Sequence, residues 1–183
     1  IFRLMTQKKL ILFMPSIEVG GLEKNFFLIS NYLASKLMKT FLITAEKNIS
    51  KKLKNIEIIY PKSNFWREKG RLRKYIIYIY LLIKILFKEK NSFVFSFQAN
   101  LYAIFICKLF QKKIISRSNS SPSGWSKNFI KKSIYKLGLN LADILIVNSI
   151  EFKKEMKKKF SVNPIHIYNP LNTKEILSLS KQR

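Results

Sequence analysis

The chain of 183 residues has few of the residue types that most often build disulfides, metal sites and acid–base pairs. It contains one cysteine, one histidine and ten carboxylic acids, of which one is an aspartate. Cys107 lies in an apolar stretch without a partner for an internal disulfide, which fits a reducing compartment. His166 lies between two isoleucines, which is more typical of a strand than of a metal site. We therefore expect no metal, no cofactor and no chemistry that depends on paired carboxylates.

The sequence also lacks a long apolar run. The strongest candidate lies within Arg71 to Lys90, where nine apolar residues precede Lys84. A bilayer-spanning helix needs about 20 such residues. Residues 1–7 are too short and too polar for a signal peptide, so we expect a cytoplasmic location. Because the chain begins without an initiator methionine and ends in a helix-like stretch, we also expect a fragment of a longer protein.

Acidic residues are scarce relative to basic ones, and the formal net charge is +25. An excess of this size favours a negatively charged partner, either nucleic acid or an anionic membrane surface. Composition bias is an alternative, because lysine, isoleucine and asparagine are abundant throughout the chain. A non-catalytic basic module is thus an alternative function. Most aromatic residues lie in segments expected to be buried, so we expect no specific nucleic-acid partner.

Apolar residues are abundant, at 48% of the chain, and they fall in short runs that alternate with amphipathic stretches. Short continuous runs are typical of strands buried on both faces of a parallel sheet, and the stretches between them are typical of crossover helices. The sequence therefore predicts an alternating α/β fold. The predicted strands are Leu10–Met14, Lys39–Ala45, Ile56–Tyr60, Ser92–Phe97, Lys113–Ser116, a run opened by Asp143, and Pro164–Tyr168.

A diglycine, Gly20 and Gly21, separates the first predicted strand from an amphipathic helix that continues to Leu37. Glycines at such a junction let a ligand approach the backbone, and the N–H groups of the first helical turn attract anions. The pair could therefore face a phosphate. The alternative is that two glycines only close a tight turn.

Polar side chains follow the fourth and fifth predicted strands. Gln98 and Asn100 come after the fourth, and the loop after the fifth contains Arg117, Asn119 and Ser121. The carboxyl ends of strands in an open α/β sheet form the crevice that binds ligands. We expect these residues to contact a hydroxyl-rich ligand, with an anion at the arginine and stacking on a nearby tryptophan, Trp125. An ordinary turn that caps the next helix is the alternative.

A basic cluster precedes the apolar helix that begins near Arg71. Arg67, Arg71, Arg73 and Lys74 lie beside three tyrosines, Tyr75, Tyr78 and Tyr80. Cationic and aromatic flanks are typical of a helix at a membrane surface, so this cluster is our candidate for a peripheral anionic membrane contact. A helix buried against the sheet would look similar.

Five motifs, in this order, resemble a known family: SIEVGGLEK, FSFQAN, IISRSNSSP, ADILIVNS and IHIYNPLN. Over about residues 8–175 the chain resembles the N-terminal domain of glycosyltransferase family 4, retaining enzymes of GT-B fold. This implies a Rossmann-like, doubly wound, mostly parallel sheet of about seven strands. It also implies an acceptor domain over residues 1–175, with residues 176–183 starting a linker to a donor-binding domain that is absent from the chain.

The same resemblance implies transfer of a sugar from a nucleotide-sugar donor to a polysaccharide or lipid-linked glycan, as in lipopolysaccharide assembly, without a metal. Gly20 and Gly21 would close over the donor diphosphate, and attachment would be to the cytoplasmic face of the inner membrane. Without the donor domain we expect this chain alone to be inactive. Many members carry a histidine after the fifth strand, whereas this sequence has Arg117, Ser118 and Asn119 there, so no catalytic residue is assigned.

Overall fold

The computed structural model describes residues 9–16, 21–37, 39–45, 49, 52–63, 71–98, 100–125, 128–173, 177 and 180; the side chains of residues 71–74 are not among the parts described. The strands are β1 Lys9–Phe13, β2 Lys39–Ile43, β3 Ile56–Ile59, β4 Ser92–Ser96, β5 Ile114–Ser118, β6 Ile144–Val147 and β7 Ile165–His166. The helices are α1 Gly21–Lys36, α2 Arg71–Lys88, α3 Asn100–Leu109, α4 Phe129–Leu141 and α5 Ile150–Phe160, with a 3₁₀ turn at Pro122–Gly124.

The seven strands form one sheet in the order β3-β2-β1-β4-β5-β6-β7, and every neighbouring pair is parallel. The chain runs outward from β1 to β3, returns to the middle at β4, and then runs outward to β7. The strand order therefore reverses between β1 and β4, where Phe13 is paired with Ser96. Open α/β sheets bind ligands beside such a reversal, at the carboxyl ends of the strands.

Helices cover both faces of the sheet because successive residues of a buried strand point to opposite sides. In β1, Ile11 and Phe13 pack in a core cluster with residues of α2 and α3. Leu10 and Leu12 pack on the other side, with Phe26 of α1. The doubly wound, Rossmann-like architecture expected from the sequence is confirmed.

A third cluster joins α4, α5 and β6, and it includes Leu139, Val147, Met156 and Phe160. Ser149 caps α5, because its Oγ accepts hydrogen bonds from the backbone N–H groups of the first turn. At Gly138, α4 packs against α3: a Cβ added there would lie 2.5 Å from Leu101 Cδ2.

Some sequence-based details were wrong. The fifth strand continues to Ser118, so Arg117 lies within it rather than in the following loop, because Arg117 and Ser118 pair with Ile146 and Val147 of β6. Tyr78, expected at a membrane surface, is only 1% exposed because it faces the sheet in the α2–α3 cluster.

Candidate functional site

A cavity of about 930 Å³ opens at the carboxyl ends of β1, β4 and β5, where the strand order reverses. Polar groups from the segments after these strands line it, together with side chains from α2, α3 and α4. The aromatic residues among its lining are Tyr75, Tyr78, Phe97, Tyr102, Phe105, Trp125 and Tyr135. A wall of amides, hydroxyls and aromatic rings suits a ligand that has hydroxyl groups and an apolar part.

Two hydrogen bonds join the segments that follow β1 and β4. Phe97 N donates to Phe13 O at 3.0 Å, which continues the strand pairing for one residue. Ser16 N then donates to Gln98 Oε1 at 3.1 Å. The predicted site residue Gln98 thus lines the cavity and also holds the loop after β1 in place.

Asn100, the first residue of α3, lines the cavity but already has two partners. Its Oδ1 accepts from Ser96 Oγ at 2.6 Å, and its Nδ2 donates to Arg117 O at 3.0 Å. Both bonds tie the start of α3 to the ends of β4 and β5. The side chain therefore shapes the wall, and it has less capacity for a ligand than its amide group suggests.

Arg117 is 2% exposed and lines the cavity. Its guanidinium donates to neutral acceptors: Asn119 Oδ1 at 3.2 Å from Nε, and Asn169 Oδ1 at 2.9 Å and Ile167 O at 3.4 Å from one terminal nitrogen. Among the described residues no carboxylate bonds to it. Burial lowers the pKa of this guanidinium from its usual value, but an arginine stays charged at neutral pH. The site therefore contains a buried positive charge that no described carboxylate balances.

Asn119 follows β5 and adds an unused donor beside this charge. Its Oδ1 accepts from Arg117, whereas its Nδ2 is buried without a hydrogen-bond partner in the described part of the chain. A buried amide N–H costs free energy unless it is bonded. This side chain is thus the best placed of the predicted polar residues to donate to a ligand in the cavity.

From the sequence, the loop after Asn119 was expected either to contact a ligand or to form an ordinary capping turn, and the structure shows features of both. Ser121 caps the 3₁₀ turn by accepting from Ser123 N, and it donates to Glu155 Oε2 of α5 at 2.9 Å. It is not among the residues lining the cavity. Trp125 does line the cavity, and it also packs against Tyr135 and Phe160, with ring centroids 5.4 and 6.1 Å away.

The electrostatic character of the cavity is positive. Its described lining includes Arg117 and Lys131 but no acidic side chain. Burial, with smaller contributions from Tyr102 and Tyr75, raises the pKa of Tyr135, so its phenol stays neutral and can donate a hydrogen bond. A cavity of this kind favours a ligand with negative charge.

The predicted diphosphate loop is described in part. Gly20 lies outside the described residues, and Gly21 is the first residue of α1. A Cβ added at Gly21 would meet no atom of the described residues within 4 Å, so none of these residues blocks the approach to the start of α1. Glu23 in the same turn is paired with Lys52 Nζ at 3.0 Å, which offsets its negative charge.

The predicted membrane cluster is largely beyond what the structure describes. Arg67 lies outside the described residues, and Arg71, Arg73 and Lys74 lie in the first turn of α2 without described side chains. None of the described helices is long and apolar enough to cross a membrane. In the same part of the chain no three His, Cys, Asp or Glu residues cluster closely enough to hold a metal ion.

Sequence reasoning did not single out the α4 wall of the cavity. Lys131, Ile134 and Tyr135 line it from a helix whose sequence looks like an ordinary amphipathic segment. Their role depends on how α4 packs beside α3, where a Cβ added at Gly138 would lie 2.5 Å from Leu101 Cδ2. The glycine within a helix was the only local signal of this close approach.

Comparisons with known proteins find similar structures only. No family model and no curated protein matches the sequence. HepE of Anabaena, solved with UDP and glucose, matches over 96% of this chain and 50% of its own, with 13% identity and a TM-score of 0.62. A glycosyltransferase of Rickettsia africae matches over 96% and 49%, with 15% identity and a TM-score of 0.64.

A third solved structure, the lipopolysaccharide outer core galactosyltransferase WaaB without ligand, matches over 90% of this chain and 46% of its own, with 17% identity and a TM-score of 0.57. UDP-N-acetylglucosamine 2-epimerases match as well. At these identities the likeness shows the fold alone: the chain has the architecture of one half of the GT-B fold. It spans about half the length of the structures it matches.

Proposed function

We propose that this chain is the acceptor-binding half of a glycosyltransferase that moves a sugar from a nucleotide-sugar donor to a lipid-linked or polysaccharide glycan. The observation that carries the proposal is the cavity at the strand-order reversal, with its positive, amide- and hydroxyl-rich wall. Open α/β sheets bind ligands at this place. Solved structures of the same half-fold include one with UDP and glucose and a galactosyltransferase of the lipopolysaccharide outer core.

The acceptor in this proposal has a negative charge near its sugar. Arg117 and Lys131 are the described cations of the cavity wall, and no described carboxylate there competes with a ligand anion. Asn119 Nδ2 and the neutral phenol of Tyr135 would donate to sugar or phosphate oxygens. A glycan linked to a lipid through phosphate, or one with an acidic sugar, fits this chemistry.

The donor diphosphate in this proposal approaches the start of α1. Backbone N–H groups at a helix N-terminus stabilise anions, and they would stabilise the leaving diphosphate without a resident metal. Gly20 and Gly21 allow that approach. The resemblance to retaining enzymes extends the proposal to retention of the anomeric configuration, with catalysis through positioning and with further cations from a second domain.

The acceptor part of the proposal is tested by a ligand titration that is followed through the fluorescence of Trp125. The chain has two tryptophans, so replacement of Trp66 by Phe leaves Trp125 as the only indole reporter in the cavity. We expect saturable fluorescence changes with a short-chain, water-soluble prenyl-diphosphate saccharide. We expect much weaker changes with the same saccharide as a neutral glycoside, because the cavity wall is positive.

Two neighbouring lysines provide a matched pair for this titration. Lys131 lines the cavity, whereas Lys132 on the same helix does not. Lys131→Gln should weaken binding of the diphosphate ligand about fivefold, the equivalent of an exposed ion pair of about 1 kcal/mol. Lys132→Gln should leave it unchanged. Equal effects of the two variants, or equal binding of the charged and neutral ligands, would contradict the proposed acceptor class.

The donor loop is tested in an enzyme that contains this chain together with a donor-binding domain. Gly21→Val should reduce transfer strongly, because its branched side chain would occupy the approach to the first turn of α1. The fold should persist, since no described atom lies within 4 Å of the added Cβ. Circular dichroism and the rate of nucleoside diphosphate release measure the two effects. Normal turnover by the variant would show that the diglycine forms only a turn and has no role in donor binding.

A further inference from the structure

Helix α4 has apolar residues on two sides, and only one side is covered. Gly138 and Leu139 are buried against neighbouring elements. Ile130, Ile134, Leu137 and Leu141 recur at steps of four, three and four and form a row on the other side, where Ile130 is 66% and Leu137 60% exposed. Single exposed apolar residues are normal on a protein surface, but a row along a whole helix is not.

The two neighbouring helices also expose large apolar side chains. Tyr102 and Leu109 of α3 are exposed, as are Ile76, Tyr80 and Phe87 of α2. The helices are adjacent: the rings of Tyr75 and Tyr102 stack with centroids 5.2 Å apart, and α3 contacts α4 at Gly138. The surface that comprises α2, α3 and α4 is called the three-helix surface below.

This surface has basic residues and no acidic ones. None of the three helices contains an aspartate or a glutamate, whereas each contains lysine. The described carboxylates that follow α2 and α4 are paired: Glu89 is buried and bonded to Lys9 Nζ at 2.5 Å, and Asp143 is bonded to Lys108 Nζ at 2.6 Å. Among the described side chains, the exposed lysines of the surface are Lys84, Lys88, Lys131, Lys132 and Lys136.

We propose that the three-helix surface docks on an anionic lipid bilayer, with the apolar row of α4 inserted among the head groups. Interfacial helices combine an apolar stripe, tyrosines and flanking lysines that keep their charged ends in the head-group layer. Anionic lipids attract such lysines, and the attraction falls off with salt. A second copy of the chain is a poorer occupant, because each chain has a formal charge of +25 and the surface would meet its own sign.

Docking in this orientation would bring the cavity to the membrane. Lys131 and Ile134 of α4, Tyr75 of α2 and Tyr102 of α3 line the cavity and belong to the same surface. A glycan carried on a lipid phosphate would therefore meet the cavity wall at the level of the head groups. This last consequence depends on the proposed function, whereas the docking itself does not.

The test uses the purified chain and vesicles that contain no glycan acceptor, so its result is independent of glycosyl transfer. We expect co-sedimentation with vesicles of equimolar phosphatidylglycerol and phosphatidylcholine, loss of binding at high salt, and little binding to phosphatidylcholine alone. Ile130→Ser combined with Leu137→Ser should weaken the partition coefficient at least tenfold, about 1.4 kcal/mol. Neither residue lines the cavity.

The matched control alters exposed apolar residues of β7 and of the segment that follows it, neither of which belongs to the three-helix surface. Ile165 and Leu171 are 51% and 75% exposed, and Ile165→Ser combined with Leu171→Ser should bind vesicles like the parent. No binding by the parent protein would overturn the proposal, and so would equal binding of the two double variants. Sedimentation velocity could instead reveal a concentration-dependent dimer of the parent. If only the α4 double variant abolished that dimer, the surface would be an interface between copies of the chain.

Discussion

Asp143, the sole aspartate, joins three elements at the amino-terminal side of the sheet. Its Oδ2 accepts from Lys108 Nζ at the end of α3 at 2.6 Å and from Ile114 N at the start of β5 at 2.8 Å. Burial raises the pKa of this carboxyl, but the two hydrogen bonds outweigh burial, and the pKa ends below its ordinary value. The ionised form is therefore the one that stabilises the fold.

Asp143→Asn should lower the free energy of unfolding at neutral pH by about 1 kcal/mol, the value of a hydrogen bond to a partly exposed charge. Because the folded pKa is depressed, this contribution is complete above the ordinary aspartate pKa of about 4 and is lost as the pH falls through the folded value. The difference between parent and variant should therefore shrink as the pH is lowered from 7 towards 3. Urea unfolding at several pH values measures it.

Glu57→Gln is the matched control for this titration. Glu57 is paired with Lys39 Nζ at 3.1 Å, but both side chains are about half exposed, so the pair should contribute little. A pH-independent difference for Asp143→Asn would show that its effect comes from packing and not from charge.

Arg117 shows how far single residues could be interpreted from the sequence. A polar residue at the end of a strand was expected at the ligand crevice, and its place in the cavity wall agrees with that expectation. Its partner Asn169 lies 52 residues further on, so no local pattern indicated that the guanidinium also holds the segment after β7. Whether it binds an anion stays a prediction.

At the level of elements, the contact between α3 and α4 controls the size of the cavity. A Cβ at Gly138 would lie 2.5 Å from Leu101 Cδ2 and 3.3 Å from Phe105 Cζ. Leu101 and Phe105 both line the cavity. The conflict is with the flexible end of the leucine side chain, which has free space beside it. Rotation of Leu101 into that space would relieve the clash.

Gly138→Ala should therefore leave stability within about 1 kcal/mol of the parent, because the gain in helix propensity of about 1 kcal/mol offsets the cost of repacking. Ligand binding measured at Trp125 should weaken, since Leu101 would fill part of the cavity. Gly124→Ala is the control, because a Cβ there meets no described atom within 4 Å. A loss of stability above about 3 kcal/mol would show that the leucine has no room to move.

Helix α4 also marks the limit of sequence-based prediction for elements. Its apolar residues occur on two sides, and periodicity alone does not tell which side faces the protein. Its exposed row became visible only when Gly138 and Leu139 were found packed inward. The same ambiguity led to the wrong expectation for Tyr78 in α2.

For the whole molecule, the sheet was predictable because buried parallel strands and crossover helices leave strong patterns, and the right-handed connection rule leaves few topologies for them. The cavity was predictable only in position, as the crevice beside the strand-order reversal. The two cations of its described wall come from separate elements, Arg117 from β5 and Lys131 from α4, and α1, α2 and α3 contribute uncharged side chains. No stretch of sequence contains that arrangement.

The order of the strands has a consequence for folding. The central pair brings together Lys9 and Ser92, about 80 residues apart, whereas every other pair joins strands within about 30 residues. Closing the longer loop costs about 1 kcal/mol more conformational entropy. The two parts of the sheet, β1–β3 and β4–β7, are therefore favoured to form first, and the pairing of β1 with β4 is favoured to form last. Ser16 follows β1 and Gln98 follows β4, so the cavity that they line exists only after these two strands pair. A ligand bound in the cavity would therefore slow the first step of unfolding, in which this pairing is lost.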